Sequence, residues 1–273
     1  MPGAQVALAM VSVPGLEGQG LAAEQWIYGV RPVAEALEVD PEGAMVMRVS
    51  VKRRKGLDRL LSKASSARVR VERVEKEGLD ALCEGGNHQG VALKVRPFSY
   101  TDFAQWLASI TGPEALVVAL DEVQDPMNLG AILRSAAAAG AAGVILPERR
   151  SAPVSHVAVR ASAGVARRLP VCRVVNLVRA LERLQAEGFW VSGAAADGGG
   201  PPWSIDFSGR SVVVLGSEGK GMRRLVSKTC DNLVTIPLKS GVESLNVSSA
   251  ASMFFYEVVR QRALSKNDAN EGG

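Results

Sequence analysis

The sequence is poor in the residues that hold metals or stack on bases. It has only two histidines, His88 and His156, and three cysteines, Cys83, Cys172 and Cys230, far apart and without a CxxC spacing. A Cys/His zinc site therefore has too few ligands, no metal is expected, and scattered thiols argue for a reducing compartment. Aromatic residues make up 5% of the chain, which leaves few platforms for single-stranded bases. No apolar run approaches the roughly 20 residues needed to cross a bilayer. The opening MPGAQVALAMVSVPG lacks a basic region and does not read as a signal peptide. A cytoplasmic protein without membrane contact is expected.

What remains is an ordinary globular composition, with charge unevenly placed. The 273 residues are 47% hydrophobic and 22% charged, enough for one large domain or two modest ones. The net charge of +4 leans towards anionic partners. Between Arg48 and Arg70 nine Lys/Arg face one acid, Asp58, around the tetrad Lys52, Arg53, Arg54, Lys55. Between Glu148 and Arg179, seven arginines, among them Arg149 and Arg150, face Glu148 alone. Each run reads either as a solvated face or as a surface that tracks phosphates.

Residues 1–24 read as a disordered leader, and the Gly18-Gln-Gly20-Leu-Ala-Ala23 fingerprint within it lacks a βαβ setting. Residues 25–98 read as a small α/β domain, with strands near 44–50, 68–74 and 91–96 and helices near 31–37, 57–67 and 79–83. Residues 99–114 read as a linker with a short helix. From 115 to 264 short buried strands alternate with helices, which predicts a mostly parallel sheet covered on both faces. The predicted strands are 115–120, 143–146, 171–175, 190–194, 211–215 and 233–237. The predicted helices centre on 129–139, 154–161, 177–187, 221–229 and 247–264. Residues 265–273 read as a disordered tail.

Three strand-to-helix turns carry polar groups to one sheet edge, where ligands of open α/β sheets bind. The first is Asp125-Pro-Met-Asn128, with Asn128 at the helix cap and Arg134 on the helix, slanting back towards its start. The second, Gly216-Ser-Glu218-Gly-Lys220-Gly221, looks like a phosphate loop. It fails the Walker spacing, because Val214 and Gly221 stand where glycine and Ser/Thr are needed. The third runs from Ile236-Pro to Ser244-Leu-Asn246, where Ser244 or Asn246 suits a helix cap. No G-x-S-x-G elbow supports a hydrolase built on His156.

These three stretches resemble the motifs of the SpoU-type RNA ribose 2′-O-methyltransferases, members of the knotted SPOUT superfamily. The resemblance runs from Ile27 to about Arg262 and includes Ile27-Tyr-Gly-Val, His88-Gln-Gly90-Val and Arg150-Ser-Ala. It is strongest for bacterial members that methylate a guanosine ribose in the peptidyl-transferase region of 23S rRNA. Arg31 stands where the family often has histidine, and Lys220 where an acid is common. The resemblance implies a deep trefoil knot in the C-terminal sheet and S-adenosylmethionine held around Leu215, Gly216, Gly221, Ile236, Leu238, Ser244 and Leu245. It implies a homodimer through the knotted domain and an RNA-binding first domain like those of ribosomal proteins. Lys52, Arg53, Arg54, Lys55, Arg149 and Arg150 would contact 23S rRNA or a pre-ribosomal particle. Asn128, Arg134, Glu218, Ser244 and Asn246 would form the catalytic set, with Asn128 and Glu218 fixing Arg134 and the ribose. A tRNA ribose methylase and a non-catalytic ribosome-associated RNA-binding protein remain the alternatives.

Overall fold

The computed structural model describes residues 25–52 and 57–271, with side chains to Ser265. The leader, its Gly18–Ala23 fingerprint, and Arg53, Arg54 and Lys55 of the basic tetrad lie outside the described residues. The chain divides into two compact units, Met1–Phe98 and Ser99–Gly273.

In chain order the first unit runs β1 (Gln25–Tyr28), α1 (Val30–Val39), β2 (Ala44–Ser50), α2 (Leu57–Ser66), β3 (Arg70–Val74), α3 (Lys76–Leu82), β4 (Val91–Val95). Its mixed sheet has the order β1-β4-β2-β3, with only the β2/β3 pair parallel. Val33, Leu37, Leu57 and Leu60 from α1 and α2 pack on Met47, Val49, Val91 and Leu93. Leu79 and Cys83 cover Trp26 and Ala92 on the other face. Alternation along β2 and β4 thus feeds two cores. Strand β1 has four residues and no marked alternation, so periodicity does not announce it.

The second unit runs α4 (Phe103–Ser109), β5 (Leu116–Leu120), α5 (Pro126–Ala138), β6 (Gly143–Pro147), α6 (His156–Ala161), β7 (Val171–Val174), α7 (Leu177–Ala186), β8 (Trp190–Ala194), β9 (Ser211–Leu215), α8 (Arg224–Thr229), β10 (Asn232–Val234), α9 (Val247–Glu271). All six strands are parallel, in the order β10-β8-β9-β5-β6-β7. Every residue of β5, β6 and β9 is buried, as strands covered on both faces require. Val117, Ala119, Ile145, Val212 and Val214 pack with α4, α7 and α8. Their alternates face the other way, where buried Leu129, Ile132 and Leu133 of α5 and Phe254, Phe255 and Val258 of α9 lie.

Four differences from the sequence reading have physical causes. The 99–114 segment is built into the second unit rather than connecting to it. Thr101 N donates to Val171 O (2.8 Å), and Trp106 Nε1 donates to Ala142 O (3.1 Å). The indole lies against Gly143, where a Cβ would come within 2.7 Å of it. Arg210 then ties the segment down, donating to Ile110 O (2.6 Å), Gly112 O (3.2 Å) and Glu187 O (2.7 Å). Strand β10 ends at Val234, because Thr235 N turns to donate to Gly200 O (2.9 Å) and Pro237 has no N–H. Helix α8 starts at Arg224, because Gly221 is occupied by a tight turn at φ 65°. Helix α9 continues through the expected tail to Glu271.

Burial pushes the Cys172 and Cys230 thiols up to about 12, so both stay protonated at ordinary pH. Among the described residues no helix is long and apolar enough to cross a membrane.

The role given to Trp106 is testable by urea unfolding of the full chain. Trp106→Ala is expected to cost about 3–5 kcal/mol, the range for emptying a core aromatic site. A connecting segment outside the core would leave the midpoint unchanged.

Candidate active site

The carboxyl edge of the parallel sheet brings three turns together. β5 and β9 are neighbours there, and Asp121 N extends their ladder by donating to Leu215 O (2.7 Å). The chain then leaves β5 for α5. Asp125, not Asn128, caps this helix: its carboxylate accepts from Met127 N (3.1 Å) and Asn128 N (3.2 Å). Pro126 suits the first helical position, which has no N–H to pair. With the cap supplied three residues earlier, the Asn128 amide is free to work elsewhere.

The second turn follows β9. Ser217 and Gly221 exchange two backbone bonds, at 3.0 and 2.9 Å, so the loop folds back on itself. Gly219 and Gly221 adopt φ of 79° and 65°. A Cβ on Gly216 would sit 2.1 Å from the Gly221 carbonyl carbon. The glycine is required by the turn's own closure, before any ligand is considered. Glu218 is exposed near the crest of the turn.

The third turn ends at Asn246, which caps α9 by accepting from Ser248 N (2.9 Å) and Ser248 Oγ (2.6 Å). Its Nδ2 donates to Glu218 Oε1 (2.6 Å) and to Asn128 Oδ1 (2.9 Å). Asn128 Nδ2 donates to the same Glu218 oxygen (3.0 Å), and Val247 N approaches it at 3.4 Å. One carboxylate oxygen therefore collects a donor from the first turn and two from the third. Only this orientation of the two amides gives each NH2 an acceptor, since flipping either would set a carbonyl oxygen against the carboxylate.

The remaining expected catalytic residues stand apart from these bonds. Arg134 is exposed, and among the described residues its side chain makes no hydrogen bond or ion pair. Glu218 holds the two asparagines instead of the arginine. Ser244 is exposed and joins the lining of an adjacent cleft. All seven residues expected around a cofactor line that cleft, with Ala194, Ala196 and Phe254, and Glu218 stands at it too. Its walls are largely aliphatic, broken by loop backbone, which fits a flat ring with polar edges.

Sequence reasoning missed what anchors the second turn. Asp121 is fully buried, and its carboxylate accepts from Arg223 N (2.7 Å), Nε (2.8 Å) and Nη2 (2.6 Å). Bonding to Asp121 holds the Arg223 guanidinium pKa above its ordinary value. Glu122 Oε1 lies 3.5 Å from Arg223 Nε and 3.4 Å from Arg150 Nη1. Glu122 and Arg150 both adopt φ 62°, a strained region for such side chains and one that clusters at functional sites. The signal was present as two acids closing an apolar strand, but their partners lie far along the chain.

The expected RNA contacts divide. Lys52 and Arg149 are exposed, and Arg149 has no partner among the described residues, whereas Arg150 faces Glu122. Part of the 48–70 run is neutralised internally. Arg48 and Arg70 pair with Glu72 at 3.0 and 2.8 Å, and Lys63 pairs with Glu38. Arg48 also lies over the Trp26 ring, 5.0 Å from its centroid.

Arg223→Ala strips the buried Asp121 carboxylate of its side-chain partner. The expected cost is about 3 kcal/mol, at the low end for a broken buried pair because Arg223 is partly exposed. Equilibrium unfolding measures it, and Arg223→Lys should recover part of the loss. A wild-type unfolding midpoint would show that Asp121 does not depend on the guanidinium.

Residues 26–101 match the family model for the RNA 2′-O ribose methyltransferase substrate-binding domain, and residues 115–256 match that of the SpoU rRNA methylase family. An uncharacterised tRNA/rRNA methyltransferase of Mycobacterium ulcerans is 43% identical over 86% of this chain and 77% of its own length. The corresponding protein of Mycobacterium tuberculosis is 41% identical over 86% and 74%. Among solved structures, the SpoU methyltransferase AviRb from Streptomyces viridochromogenes in complex with AdoMet superposes with a TM-score of 0.65. It is 28% identical and covers 88% of this chain and 91% of its own. An rRNA methyltransferase from Sinorhizobium meliloti gives 0.60 at 26% identity, covering 86% of each chain. Matched in both units and over most of its length, the chain belongs to the SpoU rRNA methylase family of RNA methyltransferases.

Proposed function

We propose that the protein transfers the methyl group of S-adenosylmethionine to the ribose 2′-hydroxyl of a guanosine in 23S rRNA, in the peptidyl-transferase region. The observation that carries this reading is the meeting of Asn128, Glu218 and Asn246 at one carboxylate oxygen beside an aliphatic cleft. Leu215, Ile236, Leu238 and Leu245 would hold the adenosine by apolar contact, with loop backbone on its polar edges. When bound, the cofactor supplies an electrophilic methyl group on a sulfonium.

The chain's own part is positioning and charge stabilisation. Glu218, engaged through one oxygen, keeps the turns of Asn128 and Asn246 in register, and its other oxygen is available to a ribose hydroxyl. The exposed Arg134 guanidinium is suited to a substrate phosphate and to the negative charge that develops on the 2′-oxygen. The guanidinium acts as a charge and not as a base, so the proton leaves to solvent or phosphate. Ser244, on the cleft wall, would order the loop over cofactor and substrate.

Lys52, Arg53, Arg54, Lys55, Arg149 and Arg150 would follow the RNA backbone, in the cytoplasm, where ribosomes are made. The strands would be threaded as a deep trefoil knot. The loop after β8 lies tightly against β10, which is consistent with such threading: Gly200 N donates to Leu233 O (3.2 Å), and a Cβ on Gly199 would meet that oxygen at 2.6 Å. The protein would be a homodimer through the second unit. Trp203, Met253 and Tyr256 are 64%, 49% and 69% exposed around one apolar groove, a face that a second copy would cover.

A tritiated-methyl assay on deproteinised 23S rRNA, 16S rRNA and tRNA, followed by site mapping, tests the reading. Label is expected in a single 23S guanosine ribose. Arg134→Ala is expected to lower methyl transfer about 30- to 1000-fold, the equivalent of 2–4 kcal/mol, with cofactor affinity unchanged. Label in tRNA alone would favour the tRNA activity that the names of the mycobacterial relatives also cover. Full activity of Arg134→Ala would remove the arginine from the chemistry.

A further inference from the structure

A second groove lies at the carboxyl end of β7, beside the residues that follow the turn carrying Glu218. The cleft is lined by Gly216–Gly221 together with Ala250 and Phe254 of α9. The groove is lined by Arg223, Arg224 and Leu225 together with Val175 and Leu177, at the end of β7 and the start of α7. Val175 is 85% exposed and Leu225 65%, which is unusual for two aliphatic side chains facing one depression. No carboxylate lines the groove. The exposed Arg224 guanidinium has no partner among the described residues, and Arg179, in the first turn of α7 but outside the groove lining, is exposed with its guanidinium likewise unpartnered among them.

We propose that this groove binds a nucleotide of the substrate RNA next to the one being methylated, with its base against Val175 and Leu225 and its phosphate on Arg224. The inference rests on the reading of the protein as an enzyme acting on RNA, and it names a second subsite for that substrate. An apolar wall bounded by guanidinium groups, without acids, matches an anionic partner with a flat hydrophobic face. It disfavours a cationic or purely aliphatic partner. Arg223 belongs to both sides, since its side chain lines the groove while its backbone N–H and guanidinium close the Glu218 turn onto Asp121. A nucleotide seated there would rest on the residue that sets the active-site turn.

Full-length Arg224→Gln and Leu225→Ser separate the two halves of the subsite, with deproteinised 23S rRNA as the probe. Arg224→Gln is expected to weaken RNA binding roughly 5- to 10-fold and to lower the slope of log affinity against log salt by about 1, as losing one phosphate contact does. Leu225→Ser is expected to weaken binding roughly 5-fold or more without changing that slope, as losing a base contact does. Both should raise KM for RNA while kcat and S-adenosylmethionine affinity by calorimetry stay at wild type. Wild-type RNA affinity and salt slope in both variants, in a protein that methylates RNA, would overturn the subsite alone. So would altered sedimentation with unchanged RNA binding, which would assign the groove to a protein partner. A wild-type protein that methylates no RNA would instead overturn the function on which the inference rests.

Discussion

The candidate site depends on a shortage of acceptors. Glu218 Oε1 is the common partner of Asn128 Nδ2, Asn246 Nδ2 and Val247 N, and these donors arrive from two other turns of the chain. A charged acceptor makes stronger hydrogen bonds than a neutral one, so each donor is drawn to the same point. The Asn246-to-Asn128 bond closes the triangle. No turn can shift without lengthening a bond to another. Three exposed turns are thereby held in one arrangement by hydrogen bonds at a single carboxylate oxygen.

That triangle stands on a second interaction below it. The Glu218 turn closes only because position 216 has no side chain, and its far end is pinned by Arg223 on the buried Asp121. Asp121 directly follows β5, and its own N–H continues the pairing with β9. The sheet order places β5 beside β9 at its centre, so the turns carrying Asn128 and Glu218 emerge side by side. A polar site is thus registered to an apolar sheet through the ion pair of the buried Asp121 with the partly exposed Arg223. Breaking such a pair costs more than its net contribution to the fold, because a charge is left behind in a dry place.

Much of this architecture was legible in the residues. Unbroken apolar stretches such as Leu116–Leu120 and residues 212–215 announce buried parallel strands, and their ends locate the first two turns. The sequence failed where a contact spans distance along the chain. Asn128 bonds to residues 90 and 118 positions away, and nothing in its local pattern shows this. Read locally it is a cap, although Asp125 fills that role and leaves its amide for Glu218. The same blindness hid Asp121 and Arg223, which are 102 positions apart. It also made residues 99–114 look like a linker, because Trp106 finds its place only against Gly143 and Ala142. Arg134, expected to be held by Asn128 and Glu218, is instead exposed, with no hydrogen bond or ion pair among the described residues.

The central claim is that Glu218 holds two distant asparagine amides in one place. Side-chain NH2 resonances in protein labelled with 15N-asparagine test it directly. In the wild type, Asn128 and Asn246 should show shifted amide signals with slowed exchange, and in Glu218→Ala both should move together towards the positions of free amides. Asn128 and Asn246 signals that stay where they are in Glu218→Ala would contradict the account.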